Sequence, residues 1–116
     1  MALRCVLVDD NHHFLLTATK LLGRQDVHVV GVAHDASEGV ERAAELRPDV
    51  VLIDINLGPE NGFEVAKRLA RLVNPPAVIM ISSQSGADFI DLIGPSLAAG
   101  FIEKSALSGD AIRELL

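Results

Sequence analysis

Val50-Val51-Leu52-Ile53-Asp54-Ile55-Asn56 is an apolar run that ends in a single carboxylate. Four consecutive apolar residues, three of them β-branched, read as a strand buried on both faces of a parallel sheet. Asp54 then falls at the carboxyl end of that strand. In open α/β sheets that edge carries the ligand, because helices cover the two faces and leave a crevice there. A second run, residues 3–8, ends in Asp9 and Asp10, so two buried strands would bring three carboxylates to one edge. At separations of about 4 Å and an effective dielectric of about 20, each pair of like charges costs up to about 4 kcal/mol. A divalent cation is therefore the natural resident, and hard oxygen donors favour magnesium over zinc.

Working outward, Asn11 is placed to cap a helix whose apolar stripe is Phe14, Leu15, Ala18, Leu21 and Leu22, closing at Gly23 or Arg24. Residues 27–33 (VHVVGVA) form a short β-branched second strand. Asp35 or Ser37 can cap a second helix with the stripe Val40, Ala43, Ala44 and Leu46, which Pro48 stops. After the quoted strand comes the loop NLGPENG, and then Phe63, Ala66, Leu69 and Ala70 mark a third helix. Residues 77–81 form a fourth buried strand that delivers Ser82 and Ser83 to the carboxylate edge. A short helix over 88–93 is broken by Gly94 and Pro95. Phe101 and Ile102 form a brief fifth strand with Lys104 at its end, and Ser108 caps a last helix through Leu116. The five β-α repeats predict an α/β fold, a doubly wound five-stranded parallel sheet with helices on both faces.

Composition narrows the function. A chain of 116 residues with 49% hydrophobic residues and a net charge of −6 suits one domain, 1–116, with a real core. No apolar segment approaches the roughly 20 residues a bilayer span requires, and the start MALRC lacks a signal-peptide core, so no membrane association and a cytoplasmic location are expected. The single cysteine, Cys5, has no internal partner and reads as a small buried hydrophobe. An acidic balance without Trp or Tyr argues against nucleic-acid binding by this domain itself.

Asp9, Asp10, Asp54, Ser82 and Lys104 all fall at strand ends, and Phe101 stands three residues before Lys104. With the strings CVLVDD, PDVVLIDINLGPENG and GFIEK at these intervals, the whole chain resembles the receiver domain of two-component response regulators, a flavodoxin-like, CheY-like fold. It is most similar to receivers that precede a helix-turn-helix output domain, and no such domain is present in this sequence. Its short last helix reads as truncated. Gly58 stands where the family usually has proline, Ser105 follows Lys104 where proline is usual, and Gly94-Pro95 interrupts the family's fourth helix.

The resemblance implies a phosphoacceptor signalling domain rather than an enzyme with a separate substrate. Asp54 would be the phosphoacceptor, with a sensor histidine kinase as donor. Mg2+, with Mn2+ as a substitute, would be held by Asp10, Asp54 and the Asn56 backbone carbonyl, and by Asp9 directly or through water. Lys104 and the Ser82 hydroxyl would contact phosphoryl oxygens. Ser82 and Phe101 would form the switch, and Asn56 and Gln84 would tune the lifetime of the acyl phosphate. The altered face of the fourth helix, fifth strand and last helix would serve output or homodimerisation, with DNA reached only through an output domain.

Blander readings stand beside these. A strand-end Asp can simply cap a turn, a terminal Lys can be solvated, Ser82 can be turn chemistry, and Phe101 can be a core aromatic. Phe14 and Leu15 read as core. His12 and His13 invite a metal reading, but neighbours entering a helix point about 100° apart. Two other functions compete: a receiver-like interaction module that no longer uses phosphate, and a magnesium-dependent phosphohydrolase with an Asp nucleophile. The latter class usually needs an acidic residue where Asn56 stands, and a cap for which 116 residues leave no space.

Overall fold

The computed structural model describes residues 2–57, 61–83 and 99–116. Five strands, β1 (Leu3–Val8), β2 (Val27–Ala33), β3 (Val50–Asp54), β4 (Ala77–Ser82) and β5 (Gly100–Glu103), form one parallel sheet in the order β2-β1-β3-β4-β5. Helices α1 (His12–Gly23), α2 (Ala36–Leu46), α3 (Gly62–Leu69) and α4 (Gly109–Leu115) cover it, and a single 3-10 turn, Lys104–Ala106, follows β5. This is the doubly wound fold that the β-α order predicts. The helix expected over 88–93, the Gly94-Pro95 break, Gly58 and Gln84 lie outside the described residues.

Strand alternation explains why the central runs are apolar throughout. On β1 and β3, Val6, Val8, Val51 and Ile53 join a core under α2 and α3 with Ala43, Val65 and Leu69. Their neighbours Cys5, Leu7, Val50 and Leu52 join the opposite core with Leu15, Ala18 and Leu22 of α1 and Ile112 of α4. Either face left polar would leave one core unfilled. Burial pushes the Cys5 thiol up to about 12, partly offset by a hydrogen bond from the Leu52 backbone, so it is a packing residue rather than a nucleophile.

All four described helices begin at a side-chain cap. Asn11, Asp35, Asn61 and Ser108 accept the backbone N–H three residues on, at 3.1, 2.8, 3.0 and 3.0 Å. The second cap is Asp35, not Ser37, and α1 closes on Arg24. Two expected stripe residues, Ala44 and Ala70, are exposed, while Gly39 on α2 and Val65 on α3 take the inward positions. Small residues carry too little apolar area to set the phase of a short helix. At the far end of α2, Arg4 closes the last turn, donating from both terminal nitrogens to the Leu46 and Arg47 carbonyls at 2.7 Å.

Candidate phosphoacceptor and metal site

The same alternation carries past the strand ends and builds the site. Asp9 is two residues beyond Leu7, Asp54 two beyond Leu52 and Lys104 two beyond Ile102, and all three of those apolar residues belong to the α1 and α4 core. The three charged groups therefore converge on the α1 side of the carboxyl edge. Asp9 is fully buried, Asp54 is 6% exposed, and Asp10 is at the surface. One carboxylate oxygen from each of the three lies within 4.8 Å of the others.

The two buried carboxylates are held alike. Asp9 Oδ1 accepts the Asn11 N–H at 2.9 Å, and Asp54 Oδ1 accepts the Asn56 N–H at 3.1 Å. Their second oxygens face Lys104, whose Nζ lies 2.7 Å from Asp9 Oδ2 and 3.6 Å from Asp54 Oδ2. Asp9 Oδ2 is buried and accepts no hydrogen bond of regular angular geometry, so this ion pair is what partners it. The ammonium also sits 4.5 Å from the centre of the Phe14 ring.

Burial pushes the Asp54 carboxyl up to about 6. The negative charge of Asp9 adds to the rise and that of Asp10 contributes less, while the Asn56 N–H and the Lys104 ammonium pull it down. One lysine thus leaves the cluster short of positive charge. Three close oxygen donors, on carboxylates that include the buried Asp9 with its Oδ2 lacking a hydrogen bond, fit a hard divalent cation. The set lacks the nitrogen and sulfur donors that zinc prefers.

Ser82 closes β4 at the same edge, fully buried, next in the chain to Ile81, which pairs with Asp54 in the sheet. Phe101, on β5, is half-buried against the core beneath α2 and α3. Asn56 follows Asp54 at the surface, joined to it by the hydrogen bond above. His12 packs on His34, ring centres 4.5 Å apart, while His13 faces another part of the surface, and neither joins the acidic group. The Lys104–Ser105 bond is trans. The sequence assigns Lys104 only to a phosphoryl oxygen and Phe14 only to the core. The resting pair of Lys104 with Asp9, and the ring beneath the ammonium, were missed. Strand parity from Leu7 and Ile102 puts Asp9 and Lys104 on one side of the sheet but does not choose between the carboxylates, and the sequence carries no signal for the contact with Phe14.

Residues 5–115 match the family described as the response regulator receiver domain. The chain belongs to that family. It is 35% identical over 120 aligned positions to the transcriptional regulatory protein LiaR of Bacillus subtilis (strain 168), covering 96% of this chain and 54% of that protein. It is 37% identical over 123 positions to a protein-glutamate methylesterase/protein-glutamine glutaminase of Hahella chejuensis, covering all of this chain and 31% of that one. Among solved structures, the response regulator domain of Thermotoga maritima CheB superposes with a TM-score of 0.80 at 30% identity, over 99% of this receiver and 94% of that chain. The receiver thus spans about half or less of these curated relatives. Receiver domains are regulatory phosphoacceptor modules, and no helix among the described residues is long and apolar enough to cross a membrane.

Proposed function

We propose that this receiver accepts a phosphoryl group on Asp54 from a partner histidine kinase in a magnesium-dependent reaction, as the regulatory half of a transcriptional response regulator. The observation that carries the reading is the convergence of Asp9, Asp10, Asp54 and Lys104 in one pocket at the carboxyl edge of the sheet. In phosphoryl transfer the protein's task is almost entirely positioning and charge neutralisation, and this pocket supplies both.

In the proposed step an Asp54 carboxylate oxygen attacks phosphorus of the phosphohistidine. The phosphorus–nitrogen bond breaks, its electron pair returns to the imidazole, and that ring takes a proton from solvent. An acyl phosphate is left on Asp54. Asp10, Asp54 and the Asn56 backbone carbonyl would hold the magnesium ion, with Asp9 bound directly or through water, and Mn2+ would serve in its place. When bound, that ion offsets the charge of the carboxylates and of a phosphoryl oxygen. Lys104 neutralises a second oxygen, and the Ser82 hydroxyl donates to a third.

Those last two contacts exist only in the phosphorylated form, so they bias whatever moves with Ser82. Phe101 is the residue we assign to follow it, altering the surface of β5 and α4 for output or homodimerisation. Asn56 and Gln84 are assigned to set the lifetime of the acyl phosphate. LiaR, which this chain matches over 96% of its length, supports transcriptional output through a domain outside this sequence.

The test is intact mass after incubation with acetyl phosphate and magnesium, with Asp54→Asn and a chelated sample as controls. A gain of one phosphoryl group, absent from both controls, is the expected result. No gain, and no complex with beryllofluoride, would overturn the reading in favour of a phosphate-independent interaction module.

A further inference from the structure

Among the described residues Lys104 has three partners at the site, and two of them, Asp9 and Asp54, belong to the carboxylate set that fits a divalent cation. An ion placed among those carboxylates cancels the charge that attracts the ammonium and repels it directly. The Phe14 ring, 4.5 Å away, is the third partner, and it carries no net charge for the metal to cancel. A cation within about 6 Å of an aromatic face is drawn by the ring quadrupole, and the attraction grows when water is excluded. Here the Lys104 side chain is only 16% exposed.

We propose that Phe14 is a positioning residue for Lys104, keeping the ammonium at the mouth of the acidic pocket when a divalent cation displaces it from Asp9. The inference rests on the receiver reading. The chain places the ring there by two independent means. Phe14 sits in the first turn of α1, its backbone N–H donating to the Asn11 cap two residues past Asp9, and it packs against the same core whose strand parity directs Asp9, Asp54 and Lys104 to that side. A leucine at this position would fill a similar apolar volume without offering a quadrupole. The ring therefore does something that packing alone does not require. Without it, a strongly hydrated lysine head released from Asp9 turns to solvent, and each phosphotransfer event must first bring it back.

The test compares Phe14→Leu with Phe14→Tyr, which keeps the ring. In lysine-labelled protein, the Lys104 side-chain resonances, assigned by their absence from Lys104→Arg, are expected to be shifted upfield by the ring. That shift should persist in saturating MgCl2, vanish in Phe14→Leu and survive in Phe14→Tyr. At saturating magnesium, Phe14→Leu should take phosphoryl from acetyl phosphate about threefold to tenfold more slowly, the scale of one cation–π contact. The tyrosine variant should stay within about twofold of the parent, on the same scale of reasoning. Magnesium affinity should be unchanged in both.

Loss of the upfield shift when magnesium is added to the parent, with phosphorylation intact, would overturn the role of Phe14 alone. Equal slowing of the leucine and tyrosine variants would do the same, since it would show a packing effect. A parent that takes no phosphoryl group and no beryllofluoride would overturn the receiver reading, and the positioning role with it.

Discussion

Lys104 Nζ is closer to Asp9 Oδ2, at 2.7 Å, than to Asp54 Oδ2, at 3.6 Å. The lysine at the end of β5 is thus paired with the first strand's carboxylate across the third strand's. It acts as an internal counter-ion for Asp9 and stands next to Asp54 rather than on it. A divalent cation entering the cluster must compete with the ammonium for a buried oxygen.

That competition fixes the sign of a substitution. Lys104→Met keeps most of the apolar stem and removes the charge, leaving Asp9 buried and uncompensated. Breaking a buried pair from one side costs about 3 kcal/mol or more. The metal-free variant should therefore unfold earlier in denaturant. The same variant should bind magnesium about tenfold more tightly by calorimetry, because no ammonium competes for the carboxylates. Unchanged magnesium affinity would mean that the ion does not use Asp9.

The raised carboxyl of Asp54 gives a prediction with a defined pH window. Its ordinary value is 3.8, and burial with the charge of Asp9 pushes it up to about 6 in the folded chain. A raised acid binds its proton more tightly when folded. Its contribution to stability is therefore complete below 3.8 and is lost as pH rises through about 6. Above that range the charged Asp54 costs the fold up to about 3 kcal/mol. Asp54→Asn stays neutral, and its amide oxygen can still accept the Asn56 N–H. In chelator at pH 7.5 it should be more stable than the parent, with the gap closing near pH 4. Denaturant melts at the two pH values test this, and a gap that widens in acid would refute it.

Much of the fold could be read from the sequence because it rests on long apolar runs and on capping residues. Val50 to Ile53 could only be a doubly buried strand, and Asn11 and Ser108 stand where a cap is needed. The phase of α2 was harder, because alanine stripes such as Ala43 and Ala44 carry little preference for either side. At the site, residue types alone brought Asp9, Asp10, Asp54, Ser82 and Lys104 to one edge. What they could not reveal was the order of preference among charges. Which carboxylate Lys104 takes at rest depends on distances of an ångström, and its contact with Phe14 depends on the tilt of α1 against the sheet.

Arg47 tests the backbone rather than the site. It ends α2 in the left-handed region, with φ of 48°, where a side chain costs about 1 kcal/mol and glycine costs nothing sterically. Its carbonyl accepts from Arg4, a bond that any residue at this position can keep. Arg47→Gly should raise stability by about 0.5 kcal/mol after the added freedom of the unfolded chain is counted, leaving phosphorylation unchanged. A lower melting temperature would show that the arginine side chain contributes more than its backbone strain.

Gly62 couples the fold to the site, and its replacement should damage both. It opens α3, donating to the Ile55 carbonyl at 2.9 Å, so the helix start is pinned against the end of β3. A Cβ added there would lie 2.7 Å from the Asp54 carbonyl oxygen and 3.0 Å from Ile53 Cγ2. The nearer obstacle is backbone, which cannot turn aside as a flexible side chain can. Gly62→Ala must therefore push α3 away from the sheet or displace the peptide that carries Asp54, at a cost of about 1–3 kcal/mol. Gly23, which ends α1, has nothing within 4 Å of the corresponding position, so Gly23→Ala is the matched control and should be neutral or stabilising by up to about 1 kcal/mol. The decisive measurement is the rate of phosphorylation by acetyl phosphate at a temperature where both variants are folded. Displacement of Asp54 predicts a slower reaction in Gly62→Ala than in Gly23→Ala. Equal rates, with only the stability of Gly62→Ala reduced, would show that the strain is absorbed by α3 and does not reach the carboxylate.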